Sequence, residues 1–454
     1  MSLLAVLPAL VALIVCLRRG PSYALIAVYL PVLLLLPDEL RWPFSGHLTL
    51  SESAILPIAV FFIIKRGREW RWSLADFLVV ALIVLTTISE GINRDAAHAR
   101  NLALNLFCTT ALPYMLAKGL FERELLGAAF AKRFAICATV VAIVSVYEFR
   151  MGVDLFERVI IPLFPGRSIT AQLFRYAYAR IQGPWTQPIL AGILFAGAYR
   201  LTRWLEWSGN WPGRVPCLPI SKTRFCEILI VLGSIMTVSR GPWVGAAAGG
   251  ICVVLVRARR RLVALAVTLA VAIMIGGPVN SAFKSYASVD RLTAATDTQA
   301  TAAYRYELLQ KYVAIVEERP TWGWGSSLFP RVDNLDSIDN QYLLVALDQG
   351  IYTLAVFVGL LVWMIVRLLR FALFQQRGGG AMLLGVSLLG TIVMIAVSIS
   401  TVWLGAQTQP LLYLVIGWSE GLLLANARAV HSTTIEREPV ARRVAAFRFA
   451  RVMV

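Results

Sequence analysis

A chain of 454 residues that is 58% hydrophobic and 15% charged cannot bury its apolar surface in one water-soluble core, since a soluble domain usually carries roughly a quarter charged residues. A mean hydropathy of +0.70 makes lipid the fitting solvent. The formal net charge of +17 is spread over short loops between apolar runs, with no basic patch on a soluble module, which argues against nucleic acid as a partner.

Apolar runs near 3–17, 21–37, 50–64, 74–92, 101–117 and 132–149 make an N-terminal transmembrane group, residues 1–149. A first outer loop, 150–187, separates it from a central group, 188–280, with runs near 188–202, 225–239, 243–256 and 262–280. A larger outer loop spans 281–341. Runs near 342–366, 380–402 and 408–425 form the C-terminal group, 342–425, before a basic tail, 426–454, read as a mobile or membrane-surface segment. The expected fold is an all-α polytopic membrane protein of about 12–13 transmembrane helices with two long outward-facing loops. The weakest runs are the first and 243–256, where Gly245, Gly249 and Gly250 lower helix propensity but suit close helix–helix packing. The first run reads as an uncleaved span rather than a signal peptide, because Arg18 and Arg19 follow the apolar stretch instead of preceding it.

Lys and Arg fall in alternate loops: Arg18–Arg19, Lys65–Arg71, Lys118–Arg133 with Arg123, Arg200–Arg224, Arg257–Arg261, Arg367–Arg377 and the tail from Arg428. The positive-inside tendency places these in the cytoplasm, with the amino terminus outside and the carboxyl terminus inside. On that topology all six cysteines, Cys217 included, lie in spans or cytoplasmic loops, and no structural disulfide is expected. The three histidines, His47, His98 and His431, are scattered, and no Cys/His cluster has metal-ligand spacing, so no metal or other cofactor is expected.

The first outer loop carries Arg150, Arg158, Arg167, Arg175 and Arg180 against Asp154 and Glu157. That excess runs against the positive-inside tendency and has two readings: an anionic ligand at the membrane surface, or lipid headgroups and pairing within the protein. Further on, Thr237-Val238-Ser239-Arg240-Gly241-Pro242-Trp243 makes a tight outward-facing turn between two spans. It pins Arg240 at the outer surface, where a cation so held calls for an anionic partner. A guanidinium suits a diphosphate, because its planar fork donates paired hydrogen bonds and stays charged; snorkelling to headgroups is the plainer alternative.

In the second loop, Thr301 to Glu318 has a helical pattern with Tyr304, Leu308, Tyr312 and Ile315 on one face, Arg305 beside it and Pro320 as the stop. Pro320-Thr321-Trp322-Gly323-Trp324-Gly325 follows as turns, and Asp333, Asp336 and Asp339 precede the next span. Asp333 and Asp336 read as a solvated loop. Asp339, beside Asn340 at the lip of a helix, reads as a helix N-cap or as a catalytic base.

Taken in order, Ser239-Arg240-Gly241, Arg305, Pro320…Gly323-x-Gly325, Asp339-Asn340-Gln341-Tyr342-Leu343 and Gln349-Gly350 resemble the O-antigen ligase and polymerase superfamily of bacterial envelope glycan assembly. Arg180 with Gly183-Pro184-Trp185-Thr186-Gln187-Pro188 is similar to that family's arginine–glycine segment before a span. The likeness covers residues from about 175 to 360, besides the span count. It implies a GT-C-like, multi-pass glycosyltransferase of the bacterial inner membrane that moves a glycan from undecaprenyl diphosphate to an acceptor hydroxyl at the outer face. The implied partners are the undecaprenyl-diphosphate-linked glycan and membrane lipids, with a chain-length regulator as a further protein that such a polymerase can use.

By the same resemblance, Arg240 and Arg305 would bind the diphosphate and stabilise it as a leaving group without metal, with Arg180 in the same cluster. Where the ligase branch has a histidine before the asparagine, this chain has Asp339, and neither long loop contains a histidine. That departure favours polymerisation of repeat units over ligation, with Asp339 as general base or as a group that orients the site. Asn340, Trp185, Trp322 and Trp324 are the further substrate-binding candidates. These tryptophans, with Tyr176, Tyr178 and Phe329, offer faces for sugars or form an interfacial belt. A transporter of lipid-linked glycan is the rival class. Mid-span positions are nearly charge-free, with Glu227 and Glu420 near cytoplasmic ends that meet water, which speaks against it.

Overall fold

The computed structural model describes residues 6–37, 40, 48–122, 125–163, 171–175, 177–216, 218–289, 296–335, 337–376, 378–405 and 407–447, by backbone alone beyond Arg428. His47, Arg123, Arg167, Tyr176, Cys217, Asp336, Arg377 and the side chain of His431 lie outside the described residues.

Within the described residues each apolar run is helical over most of its length, as lipid demands: with no water to bond, every backbone N–H and C=O must find its partner within the segment. In chain order the helices are α1 (Leu7–Arg19), α2 (Pro21–Leu35), α3 (Leu50–Arg66), α4 (Leu74–Asn93), α5 (96–120) and α6 (Gly127–Met151). A short loop helix, α7 (Leu155–Ile160), and a hairpin, β1 (Phe174–Arg175) with β2 (Tyr178–Ala179), lie in the first long loop. Then come α8 (Pro188–Trp207), α9 (Lys222–Met236), α10 (Arg240–Arg257), α11 (Arg261–Ala287), the loop helix α12 (Asp297–Glu318), α13 (Gln341–Phe374), α14 (Gly380–Ser398) and α15 (Thr408–Phe447). Among the described residues, five are long and apolar enough to cross a membrane on length and composition alone: α4, α6, α13, α14 and the 408–428 part of α15. The protein is thus an all-α polytopic membrane protein. α2 and α5 each contain a π-turn, Leu25–Tyr29 and Phe107–Ala111, with Pro31 and Pro113 two places beyond. A proline has no N–H to give, which loosens the helical ladder there.

Two boundaries differ from the reading of the apolar runs. α11 continues past residue 280 to Ala287, and α15 carries helix beyond residue 425 to Phe447, through part of the segment expected as a tail. The hairpin in the first loop has too few residues per strand for any alternation in the sequence to announce it.

α10 packs on α14 through Gly245 and Gly249. A Cβ at Gly245 would stand 2.1 Å from Ser398 Oγ, and one at Gly249 2.3 Å from the Gly390 carbonyl oxygen, so the two backbones touch. The residues that weaken 243–256 as an isolated helix are therefore what seat α10 in the bundle. α4 marks the two ends of that bundle. At its C-terminus Asn93 Nδ2 donates to the Trp322 carbonyl at 3.2 Å, in the second long loop; at its start Asp76 pairs with Lys118 at 2.5 Å. Its 20 residues rise about 30 Å, the thickness of a hydrocarbon core.

The second long loop is clamped onto α13. The apolar face of α12 (Leu308, Tyr312, Ile315) packs with Leu335, Ile338, Leu343 and Leu347 in a small core of its own. Pro320 to Gly325 then crosses a break in α13 at Gly350, whose φ of 83° and ψ of 177° fall in a region almost reserved for glycine. A Cβ on Gly350 would lie 2.2 Å from the Thr321 carbonyl oxygen, and one on Gly323 2.6 Å from that of Leu347. The break frees carbonyls that the loop then satisfies: Trp324 N donates to Leu347 O and Gly325 N to Asp348 O, both at 2.8 Å, while Ile351 N donates to Pro320 O at 2.7 Å. Gly323-x-Gly325 and Gln349-Gly350 are two halves of one latch. Gly350→Ala is expected to destabilise the protein by about 2–3 kcal/mol, through a disallowed backbone and a direct clash. A thermal melt in detergent checks it; an unchanged Tm would mean that the latch has room for a side chain.

Candidate functional site

The site is built where three distant segments meet at the N-terminus of α10. Thr237, Val238 and Ser239 turn the chain between α9 and α10, with Thr237 and Ser239 buried and Val238 at φ 46°, an unusual conformation for a β-branched residue. The first long loop holds that turn. Arg180 Nε donates to the Thr237 carbonyl at 3.2 Å and its Nη2 to Ser239 Oγ at 2.8 Å, while Arg175 Nη1 donates to the Val238 carbonyl at 3.1 Å. Ser239 stands at the N-cap of α10 without bonding the helix's own N–H groups.

A cavity of about 450 Å³ opens here, lined by Arg175, Arg180, Ser239, Arg240, Gly241 and Arg305, with Phe174, Ile189, Phe283, Thr301 and Ala302. Four guanidinium groups thus face one space, and the positive end of the 18-residue helix α10 adds to them. No acidic side chain is among the described residues that line it. Crowding shows in the cations themselves. Burial, with Arg175 nearby, lowers the Arg180 pKa to about 10, and burial also lowers that of Arg305, against which Asp339 acts while Arg175 and Arg240 add to the fall. Arg180 remains charged at neutral pH. Asp339 acts electrostatically on Arg180 and Arg305 alike, and its Oδ1 accepts a hydrogen bond from Ser337 Oγ at 2.8 Å. Arg240, Arg305, Arg180 and Asp339, chosen from the sequence, therefore come together. Arg175 joins them; its place in an arginine-rich loop was visible, but not its contact with the turn.

Other expected site residues lie elsewhere. Asn340, not Asp339, caps α13: its Oδ1 accepts from Tyr342 N at 3.0 Å and Leu343 N at 3.2 Å, which engages its side-chain oxygen. Trp185 is buried to 1% exposure and packs edge-on against Phe195, so it cannot present a face to a sugar. Trp324 donates from Nε1 to the Ile315 carbonyl at 3.1 Å and has Arg319 over its ring at 4.2 Å. Trp322 belongs to the latch, its carbonyl accepting from Ser89 Oγ at 2.6 Å. Neither lines the arginine cavity. Tyr178 stacks on Phe149 at 5.4 Å, and Phe329 meets Tyr312 edge-on. Glu420 is fully buried and paired with Arg367, and Glu227 is paired with Arg203 at 3.3 Å, so neither rests on contact with water. Among the described residues no group of His, Cys, Asp and Glu side chains is arranged to hold a metal ion.

The acids of the first loop turn inward rather than toward the cavity. Asp154 and Glu157 are buried, and Glu148 receives Gln182 N at 2.8 Å and Gly183 N at 3.0 Å, which anchors the strand of chain just after Arg180. Burial first, then Glu148 and Glu157 close by, raises the Asp154 pKa to about 8, well above the ordinary 3.8 of an aspartate. A folded pKa above the unfolded one means stability that is full below the unfolded value and lost as pH rises through the folded value. The loop should therefore loosen between about pH 4 and 8, and Asp154→Asn, which stays neutral and keeps the cap to Phe156 N, should flatten that dependence. Amide exchange in residues 171–187 across that range is the measurement, and an equal slope in the variant overturns the assignment.

Residues 225–358 match the family model described as O-Antigen ligase. That stretch includes Arg240, Arg305, Asp339 and both halves of the latch, while Arg175 and Arg180 precede it. The match supports the O-antigen ligase/polymerase superfamily. No curated protein matches the chain.

Proposed function

With an O-antigen ligase domain in a multi-pass membrane chain as the premise, we propose that this protein polymerises undecaprenyl-diphosphate-linked oligosaccharide repeat units at the outer face of the bacterial inner membrane. One observation carries the reading: Arg175, Arg180, Arg240 and Arg305 converge on a cavity at a helix N-terminus, with Asp339 beside them. That is a receptor for a compact multivalent anion, and a diphosphate is one. In the reaction the acceptor hydroxyl attacks the anomeric carbon and the bond to the diphosphate oxygen breaks. Negative charge then gathers on that leaving oxygen, where preorganised guanidinium groups are most effective. The Asp339 carboxylate takes the hydroxyl proton. The apolar lining by Phe174, Ile189 and Phe283 gives the polyprenyl chain a neighbouring surface. The amino terminus lies outside and the carboxyl terminus in the cytoplasm, as the basic loops indicate.

Transfer to another acceptor, ligation, is the second reading, favoured by the match to the O-antigen ligase family model. The purified protein, given undecaprenyl-diphosphate oligosaccharide in detergent with chelator present, should yield longer lipid-linked chains. Transfer to a separate acceptor instead supports ligation. If neither occurs while labelled lipid-linked glycan crosses a proteoliposome bilayer, a transporter is the correct assignment.

A further inference from the structure

The hairpin that carries Arg175 and Arg180 is closed at its base by one carboxylate of α6. Gln172 precedes β1, Gln182 and Gly183 follow β2, and both arms reach Glu148, which is buried to 1% exposure. Glu148 Oε1 accepts from Gln182 N at 2.8 Å and from Gln172 Nε2 at 3.4 Å, and its Oε2 accepts from Gly183 N at 3.0 Å. Gln172 Nε2 also donates to the Arg180 carbonyl at 2.8 Å, and Arg180 N donates to the Leu173 carbonyl at 2.8 Å. Resting on the diphosphate reading of the arginine cavity, we propose that Glu148 is a positioning residue for the lipid-linked donor. By clamping both arms of the hairpin, it holds the Arg180 guanidinium where the diphosphate binds.

Arg180 is thereby gripped at both ends. Its guanidinium holds the Thr237 carbonyl and Ser239 Oγ, while its backbone is tied through Gln172 and, two and three residues on, through Glu148. Repulsion opposes this arrangement. Arg175 acts on Arg180 as a like charge, and Arg175 and Arg240 act so on Arg305. Cations drawn into one cavity push the hairpin outward unless its base is fixed. A carboxylate suits that task, because it offers two oxygens to two adjacent buried N–H groups that both need an acceptor. An amide in the same place keeps one acceptor and turns its own N–H toward the other backbone N–H. The next residue, Phe149, stacks on Tyr178, and a Cβ on Gly183 would lie 2.9 Å from Val141 Cγ1, so the hairpin sits directly on α6. Glu148 is not among the residues that line the cavity, so it acts through Arg180 and not on the substrate.

The test is binding of undecaprenyl diphosphate to the full chain in detergent, read as a double-mutant cycle. Glu148→Gln should weaken binding about tenfold and Arg180→Gln about tenfold or more. The two together should lose no more than about twofold beyond Arg180→Gln alone, because one acts through the other. In Glu148→Gln the KM for the lipid-linked donor should rise by the same factor with kcat within about threefold, since Arg240, Arg305 and Asp339 stand on other segments. Losses that multiply in the double variant mean a general loosening and overturn the proposal, as does native binding by Glu148→Gln while Arg180→Gln is impaired. Unchanged binding in Arg180→Gln is a different result: it overturns the diphosphate reading at that position, and the proposal with it. Should Glu148→Gln fail to fold, Gln172→Leu, which cuts one arm, decides. Binding about threefold weaker is expected there, and unchanged binding overturns the proposal.

Discussion

Arg240→Lys is expected to lower the rate of glycan transfer about a hundredfold, with the fold and the Tm almost unchanged. The substitution keeps the charge, so a site that needs only positive potential would barely notice it. It removes the planar fork, and with it the paired donors that a diphosphate oxygen pair accepts. Arg240 is the first residue of α10, and Gly241 behind it approaches Thr401 so closely that a Cβ would lie 2.1 Å from Thr401 Oγ1. The backbone under Arg240 therefore has little freedom to re-aim a lysine. Arg305→Lys, at another position lining the cavity, should behave alike. Arg150, at the end of α6, and Arg158, in α7, are exposed and away from the cavity, so they serve as controls, and lysine there should leave transfer within about twofold. A variant at Arg240 that keeps full activity removes the diphosphate from that position.

Asp339→Asn should reduce kcat by about a hundredfold or more while KM for the lipid-linked donor changes little. Asn340 does the capping of α13, so Asp339 is not needed to start that helix. Its carboxylate is instead set against Arg180 and Arg305. A base and a positioning group differ in what they predict. Loss of a base removes the acidic limb from the pH–rate profile, whereas loss of a positioning charge raises donor KM and leaves the profile in place. If the asparagine variant retains turnover within about threefold and only KM rises, Asp339 positions the arginines and another group, or the substrate itself, accepts the proton.

Several features were legible because they rest on local physics. The apolar runs became helices in place, including 243–256, where the glycines that lower propensity make the contact with Ser398 and Gly390. The α12 face and its stop before Pro320 followed from periodicity. Arg240 stood out because a two-helix turn leaves a cation nowhere to go. The aromatic candidates were misplaced because a tryptophan near a helix end looks the same in sequence whether it faces a sugar or the core. For Trp185 the core prevailed, and for Trp324 the Ile315 carbonyl and Arg319 occupy its edge and face. The inward turn of Asp154 and Glu157 was equally hidden, since it goes with Glu148 in α6 and with Gln182, 25 residues beyond Glu157 in the loop.

By itself, the sequence determined that this is a membrane protein made of helices, with two long loops and arginines placed where lipid alone would not put them. Those properties follow from composition and from the rule that backbone groups in lipid are satisfied within a segment. Tertiary structure alone decided which arginines share a cavity, and that Arg175 is among them. That outcome hangs on contacts between distant residues: α10 laid on α14 by its glycines, Arg175 and Arg180 gripping the turn at Val238, and the Gly323–Gly350 latch that carries Arg305 and Asp339 to the same place. Such contacts depend on the shape left between helices, which no single stretch of residues encodes.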